Sequence, residues 1–146
     1  MSRRIVSPCV GLCSTTVGDP VCRGCQRHDA EIREWFSLLD RERELRMAEL
    51  DALREQVAEH FFRVFDAEAL EAQMRRHRIR FRPEQPPLSR AVELLRVGRQ
   101  HIRDLSRYGL EPVATGQGLA PEVLYAELTG ALLTAARERH RHDPLS

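Results

Sequence analysis

The sequence predicts an all-α protein: an irregular N-terminal knob carrying four cysteines, followed by about five amphipathic helices. Three observations predict it. All four cysteines of the 146-residue chain fall within its first 25 residues. Residues 1–28 are rich in Gly, Pro, Ser and Thr and show no helical period, so something other than a hydrophobic core must order them. From Asp29 onward apolar residues recur every three or four positions, the spacing that gives a helix one buried face.

The first helix is expected to start at a cap on Asp29 and to bury Ile32, Trp35 or Phe36, and Leu39. Trp35, the sole tryptophan, is placed to pack that helix against the cysteine knob. A second cap at Asp40 opens a longer helix with the stripe Met47, Leu50, Leu53 (or Arg54), Val57 and Phe61, its other face solvated by charge. Asp66 repeats the capping signal before a short helix over 67–76, with Leu70 and Met74 inward. In the following stretch Arg78, Arg80 and Arg82 alternate with Ile79 and Phe81, which suits an extended piece. Pro83, Pro86 and Pro87 then read as a hinge. A helix is expected from Leu88 to Tyr108, closed by Gly109 in the left-handed conformation. Gly116-Gln117-Gly118 reads as a turn between helices. Pro121 opens the last helix, with Leu124, Leu128, Leu132 and Ala135 as its core face, and Arg137–His142 is expected to fray. These breaks divide the chain into 1–38 (cysteine motif and first helix), 39–82 (helical, ending in arginines) and 83–146 (a helical hairpin after the hinge).

Composition excludes several function classes. The net charge of +1 advertises no polyanionic partner, and no apolar run is long enough to span a bilayer. All 23 basic residues are arginine, so no lysine is available for a Schiff base or as a general base. No phosphate-binding loop, dinucleotide fingerprint, nucleophile elbow or paired catalytic carboxylates can be found, and no catalytic residue is assigned. The two arginines at the start are not followed by an apolar stretch, which argues against a secretory signal and for a cytoplasmic address.

The cysteines carry the chemistry. Cys9 and Cys13 are separated by three residues, Cys22 and Cys25 by two, and the pairs by eight. Two close thiol pairs on a short loop supply four ligands to one centre, and in a reducing compartment a metal is favoured over disulfides or a redox dithiol. Both zinc and an iron–sulfur cluster accept four thiolates. Gly24 lets the backbone turn inside the second hook, and Arg27 is placed to tune an anionic centre by its charge. His28 is a lesser candidate ligand in place of one thiolate.

The residues Ser7, Pro8, Cys9, Cys13, Cys22, Gly24, Cys25, Arg27, Glu31, Ile32 and Trp35, in that spacing, resemble the YdhL-type family of predicted iron–sulfur proteins, domain of unknown function 1289. The resemblance covers residues 7–38, with His28 where threonine is expected, and implies an iron–sulfur cluster. On this basis the chain is expected to be a non-catalytic redox, sensing or delivery module with a protein partner. The alternative is an interaction module stapled by one structural zinc ion. The cluster Arg75, Arg76, Arg78, Arg80 and Arg82 is a possible nucleic-acid or acidic-partner contact, with Phe81 able to stack on a base. A solvated linker, its arginines paired with Glu68, Glu71 and Glu84, is the preferred reading of that segment.

Overall fold

A computed structural model describes Thr15 and residues 18–145 of the chain. Five α-helices are present among the described residues: α1 (Asp29–Glu34), α2 (Asp40–Ala58), α3 (Ala67–Arg76), α4 (Pro87–Gly98) and α5 (Pro121–His142). Two short strands, β1 (Phe62–Val64) and β2 (Leu110–Pro112), pair antiparallel with Phe62 opposite Pro112 and Val64 opposite Leu110. The protein is therefore mostly helical rather than all-α. The knob around Cys9 and Cys13 lies outside the described residues. No helix among the described residues is long and apolar enough to cross a membrane.

The chain divides into two compact units, Met1–Leu53 with Ala131–Ser146, and Arg54–Gly130. In the first, Trp35, Met47, Leu50, Leu132 and Ala136 are buried. The α1 helix starts one residue earlier than expected, because His28 rather than Asp29 is its cap: the His28 ring accepts the Glu31 N–H. It stops at Glu34 and passes into a 3-10 turn over Trp35–Ser37, which turns Trp35 inward and leaves Phe36 and Leu39 exposed. A helix carried on to Leu39 would have needed an inward face for both. The Leu39 N–H donates to the Glu42 carboxylate (3.0 Å), a side-chain-to-backbone cap that starts α2.

In the second unit Asp66 caps α3 as expected, accepting the Ala69 N–H at 3.0 Å, and Leu70 and Met74 are buried. The arginine segment forms no strand. The α3 helix ends in a paired C-terminal turn, with Ile79 N–H donating to the Met74 carbonyl (2.8 Å) and Arg78 N–H to that of Arg75 (3.2 Å). Arg78 takes the left-handed position (φ 56°) that glycine usually fills, and Ile79 is buried. Nor is the proline stretch a loose hinge. The Arg90 guanidinium donates to the carbonyls of Gln85 (2.8 Å), Pro83 (2.9 Å) and Arg82 (3.3 Å), while buried Gln85 donates to Ser89 at 2.9 Å.

The helix expected over 88–108 is two pieces. Pro87 opens α4, which stops at Gly98; Asp104 then caps a separate 3-10 turn over Leu105–Tyr108 by accepting the Ser106 N–H. Asp104 competes with helix continuation because its short carboxylate satisfies a nearby backbone donor outside a helix. Gly109 closes this turn in the left-handed conformation (φ 74°), as expected. A Cβ built there would lie 2.1 Å from the Asp66 carbonyl oxygen, so the position requires glycine for space as well as for φ. Gly109→Ala is expected to lower stability by about 2–3 kcal/mol in urea unfolding. Gly116 makes an equally close approach, its built Cβ falling 1.9 Å from the Phe61 carbonyl oxygen.

In the last helix Leu124, Leu128 and Leu132 are buried, but Ala136 rather than Ala135 continues the face, the next position on the helical stripe. Its C-terminal turn does not fray. Arg139 and His142 are helical, and Arg139 and Asp143 make buried ion pairs within the first unit.

Candidate metal centre

Cys22 and Cys25 sit on a tight hook. The Cys22 N–H donates to the Arg27 carbonyl (2.8 Å), its carbonyl accepts the Gln26 N–H (2.9 Å), and Val21 and His28 form an antiparallel bridge across the base. The chain reverses between them through a turn containing Gly24, while the left-handed residue is Gln26 (φ 66°), steadied by its side-chain donation to the Arg23 carbonyl at 2.8 Å. Both cysteines are 1% exposed and are not joined through their sulfurs. The hydrogen bond between them, reinforced by burial, pushes the Cys25 thiol well above its ordinary range, against the pull of Arg27. Cys9 and Cys13 lie outside the described residues.

The neighbouring residues singled out from sequence come together at this hook. Arg27 is 3% exposed; its Nε donates to Cys25 Sγ at 3.3 Å and its guanidinium lies 5.0 Å from the centre of the Trp35 ring. Trp35 is fully buried, and its indole N–H has no hydrogen-bond partner among the described residues. Two adjacent buried thiols on one turn, with a buried guanidinium donating to one of them, gather sulfur donors and a positive charge; burial and their mutual hydrogen bond keep the free thiol neutral, so a bound cation would be needed to hold the pair as thiolates. This donor chemistry fits a thiolate-bound metal at the described half of the site.

His28 is not placed to be a ligand. Its Nδ1 accepts the Glu31 N–H (3.2 Å), its Nε2 donates to Asp143 (2.8 Å), and its ring stacks on His140 at 4.5 Å with planes 20° apart. Both ring nitrogens are used, as a helix cap and as a tie to the C-terminal segment.

Behind the hook lies an ion-pair network that periodicity and spacing did not suggest. Glu31 is fully buried and receives Arg139 through both oxygens (2.7 and 2.6 Å) and Arg46 at 2.7 Å. Arg46 also reaches both oxygens of Asp143 (2.6 and 3.0 Å), and Arg139 reaches Glu49 at 3.1 Å. His28, Glu31 and Asp143 place ligand atoms within 4.8 Å of one another, a spacing a cation would accept. The two arginines already neutralise those carboxylates, so the cluster is a structural clamp. Burial alone would push the Glu31 carboxyl up, yet Arg139 and Arg46 hold it below the usual range; the Arg46 hydrogen bond holds Asp143 well below it.

These shifts fix the sign of a pH effect. Carboxyls with lowered folded-state pKa values stabilise fully above their unfolded values of about 4, and lose that contribution as pH falls through the folded values. Urea unfolding is thus expected to show stability steady down to about pH 5 and falling steeply below pH 4. The combined variant Glu31→Gln, Asp143→Asn should be less stable at neutral pH and flatter in acid.

The arginine segment pairs less than expected. Arg75 lies 3.6 Å from Glu71, and both Arg75 and Arg90 place guanidinia over the Phe81 ring, at 5.1 and 4.4 Å from its centre. Phe81 is half-buried beneath them and is not a free platform for a base. Arg76, Arg78 and Arg80 are exposed, with no ion pair among the described residues. An open pocket of about 780 Å³ in the second unit is lined by Phe65, Arg103, Leu105, Glu111 and Leu119, and at its wall the Ser106 hydroxyl donates to the Asp104 carboxylate at 2.6 Å, the carboxylate that also caps the 3-10 turn.

The hook, the buried arginine and tryptophan and the clamped helix behind them define a small cysteine-motif module carried on a helical chain. Residues 7–54 match the model of a family described as protein of unknown function (DUF1289). The match runs through the hook, α1 and most of α2, so the resemblance seen in the motif residues holds and extends beyond residue 38. No curated protein and no solved structure matches the chain.

Proposed function

We propose that Cys9, Cys13, Cys22 and Cys25 hold an iron–sulfur cluster, and that the protein is a non-catalytic redox, sensing or delivery module acting on a protein partner. The observation that carries this reading is the Cys22–Cys25 hook, buried to 1% exposure with a buried guanidinium 3.3 Å from Cys25 Sγ. A redox dithiol works as an accessible nucleophile, and these sulfurs are shielded. A cluster needs no such access, because electrons pass through the ligand shell. Bound there, it would supply one-electron chemistry, while Arg27 offsets its negative charge and Trp35 holds Arg27 in place.

A single structural zinc ion is the second reading, and the compact hook favours it. Its backbone turn is closed within five residues by the Gln26-to-Cys22 hydrogen bond, a geometry small enough to wrap one ion. Anaerobic purification followed by an absorption spectrum, iron and zinc analysis and assay of acid-labile sulfide separates the two. Brown protein with iron and labile sulfide, lost on Cys22→Ser or Cys25→Ser, supports the cluster. Colourless protein with about one equivalent of zinc replaces it with the zinc reading. Protein that takes up neither metal overturns both.

A further inference from the structure

We infer that Arg76, Arg78 and Arg80 form a binding surface for the phosphate backbone of nucleic acid, read without regard to base. Three independent features lead there. The three guanidinia are exposed and have no carboxylate partner among the described residues, whereas nearby Arg75 and Arg90 are paired with Glu71.

The backbone that presents them is held firmly. Ile79 is buried and closes the end of α3, and Arg90 ties the carbonyls of Arg82, Pro83 and Gln85 in the loop that follows. Charged side chains on a fixed backbone lose less entropy on binding than the same side chains on a loose linker.

Arg78 occupies a left-handed position (φ 56°) where glycine would be the relaxed choice. Backbone strain kept at an exposed arginine points to a use for that side chain rather than to stability.

The chemistry of the patch selects the partner. A protein interface is anchored by an apolar centre, and this patch has none on offer: Ile79 is buried and the Phe81 ring is covered by guanidinia. What remains is three exposed, planar, permanently charged donors within five residues of chain, which suits phosphate oxygens and counterion release. Because Phe81 is covered, bases are not stacked, and sequence is not read.

Fluorescence anisotropy with labelled oligothymidine and oligoadenine on the full chain tests this. Three phosphate contacts at about 0.7 each predict a slope near −2 for log affinity against log salt, an affinity loss of about 15-fold between 50 and 200 mM. The two oligonucleotides should bind alike, within about threefold. Arg76→Gln, Arg78→Gln and Arg80→Gln combined should abolish the slope, and Arg80→Gln alone should reduce it by about 0.7. Arg78→Gly should weaken binding yet raise the melting temperature by about 2–4 °C, since strain is relieved as a contact is lost. Absence of salt-dependent binding, unchanged binding by the triple variant, a strong preference for one base, or tighter binding of polyglutamate than of oligonucleotide at equal salt would each overturn the inference. The single variants, both at exposed positions, keep the test decisive should the triple variant fail to fold.

Discussion

Glu31→Ala is expected to destabilise the protein by about 3 kcal/mol, the largest effect of any single charge removal in the clamp. Breaking a buried ion pair costs about 3–5 kcal/mol because the partner charge is left without compensation. Here the loss falls at the low end. Arg46 retains Asp143 (2.6 Å), and Arg139 retains the exposed carboxylate of Glu49 (3.1 Å). Urea unfolding of Glu31→Ala, Arg139→Ala and the double variant should show strong coupling, with the double variant much less damaged than the two losses added. A loss below about 1 kcal/mol for Glu31→Ala would mean that the clamp is solvated like a surface pair. The clamp joins α1 to the end of α5, so removal of the chain from Arg137 onward should destabilise the first unit by a similar amount.

Trp35→Ala should cost about 3–5 kcal/mol, as expected for a large buried aromatic cut to a methyl. The consequence extends beyond packing. The Arg27 guanidinium lies 5.0 Å from the ring centre, so its support disappears with the indole, and the contact with Cys25 loosens. Trp35→Phe is the informative control. It keeps a ring beneath Arg27 and removes an indole N–H that has no acceptor among the described residues, so the metal-free chain should lose less than about 1.5 kcal/mol. On the proposed cluster reading, Trp35→Ala should also retain less metal after purification than Trp35→Phe. Equal metal content in the two variants would show that Trp35 has no part in holding the site.

Much of the helical architecture was legible because it is written in local terms. Asp66 caps α3, Pro121 opens α5, Gly109 takes the left-handed position, and the stripes of α2 and α5 are buried at Met47, Leu50, Leu124, Leu128 and Leu132. The errors arose where two local signals compete or where the decisive partner is remote. Residues 88–108 carry an apolar helical period, yet Gly98 and the Asp104 cap interrupt it. The strands were missed because each is three residues long, too short for alternation to stand out, and each is stabilised by the other across the segment that carries α3 and α4. Arg78, Arg80 and Arg82 alternate with apolar residues, as a strand would, but helix termination places Arg78 in the left-handed region instead.

The described part of the candidate site shows the same division. The Cys22–Cys25 spacing, with Arg27 and Trp35 at their offsets, is a short-range pattern; a local turn brings these residues together, so a linear reading finds them as neighbours. That reading could not find the clamp. Glu31 meets Arg139 across 108 residues of chain, and His28 meets Asp143 across 115. Along the sequence, Arg139, His140 and Asp143 are simply the charged end of a helix. Only when the chain returns to the first unit do their charges face Glu31 and Arg46 away from water, where an ion pair strengthens because solvent no longer screens it.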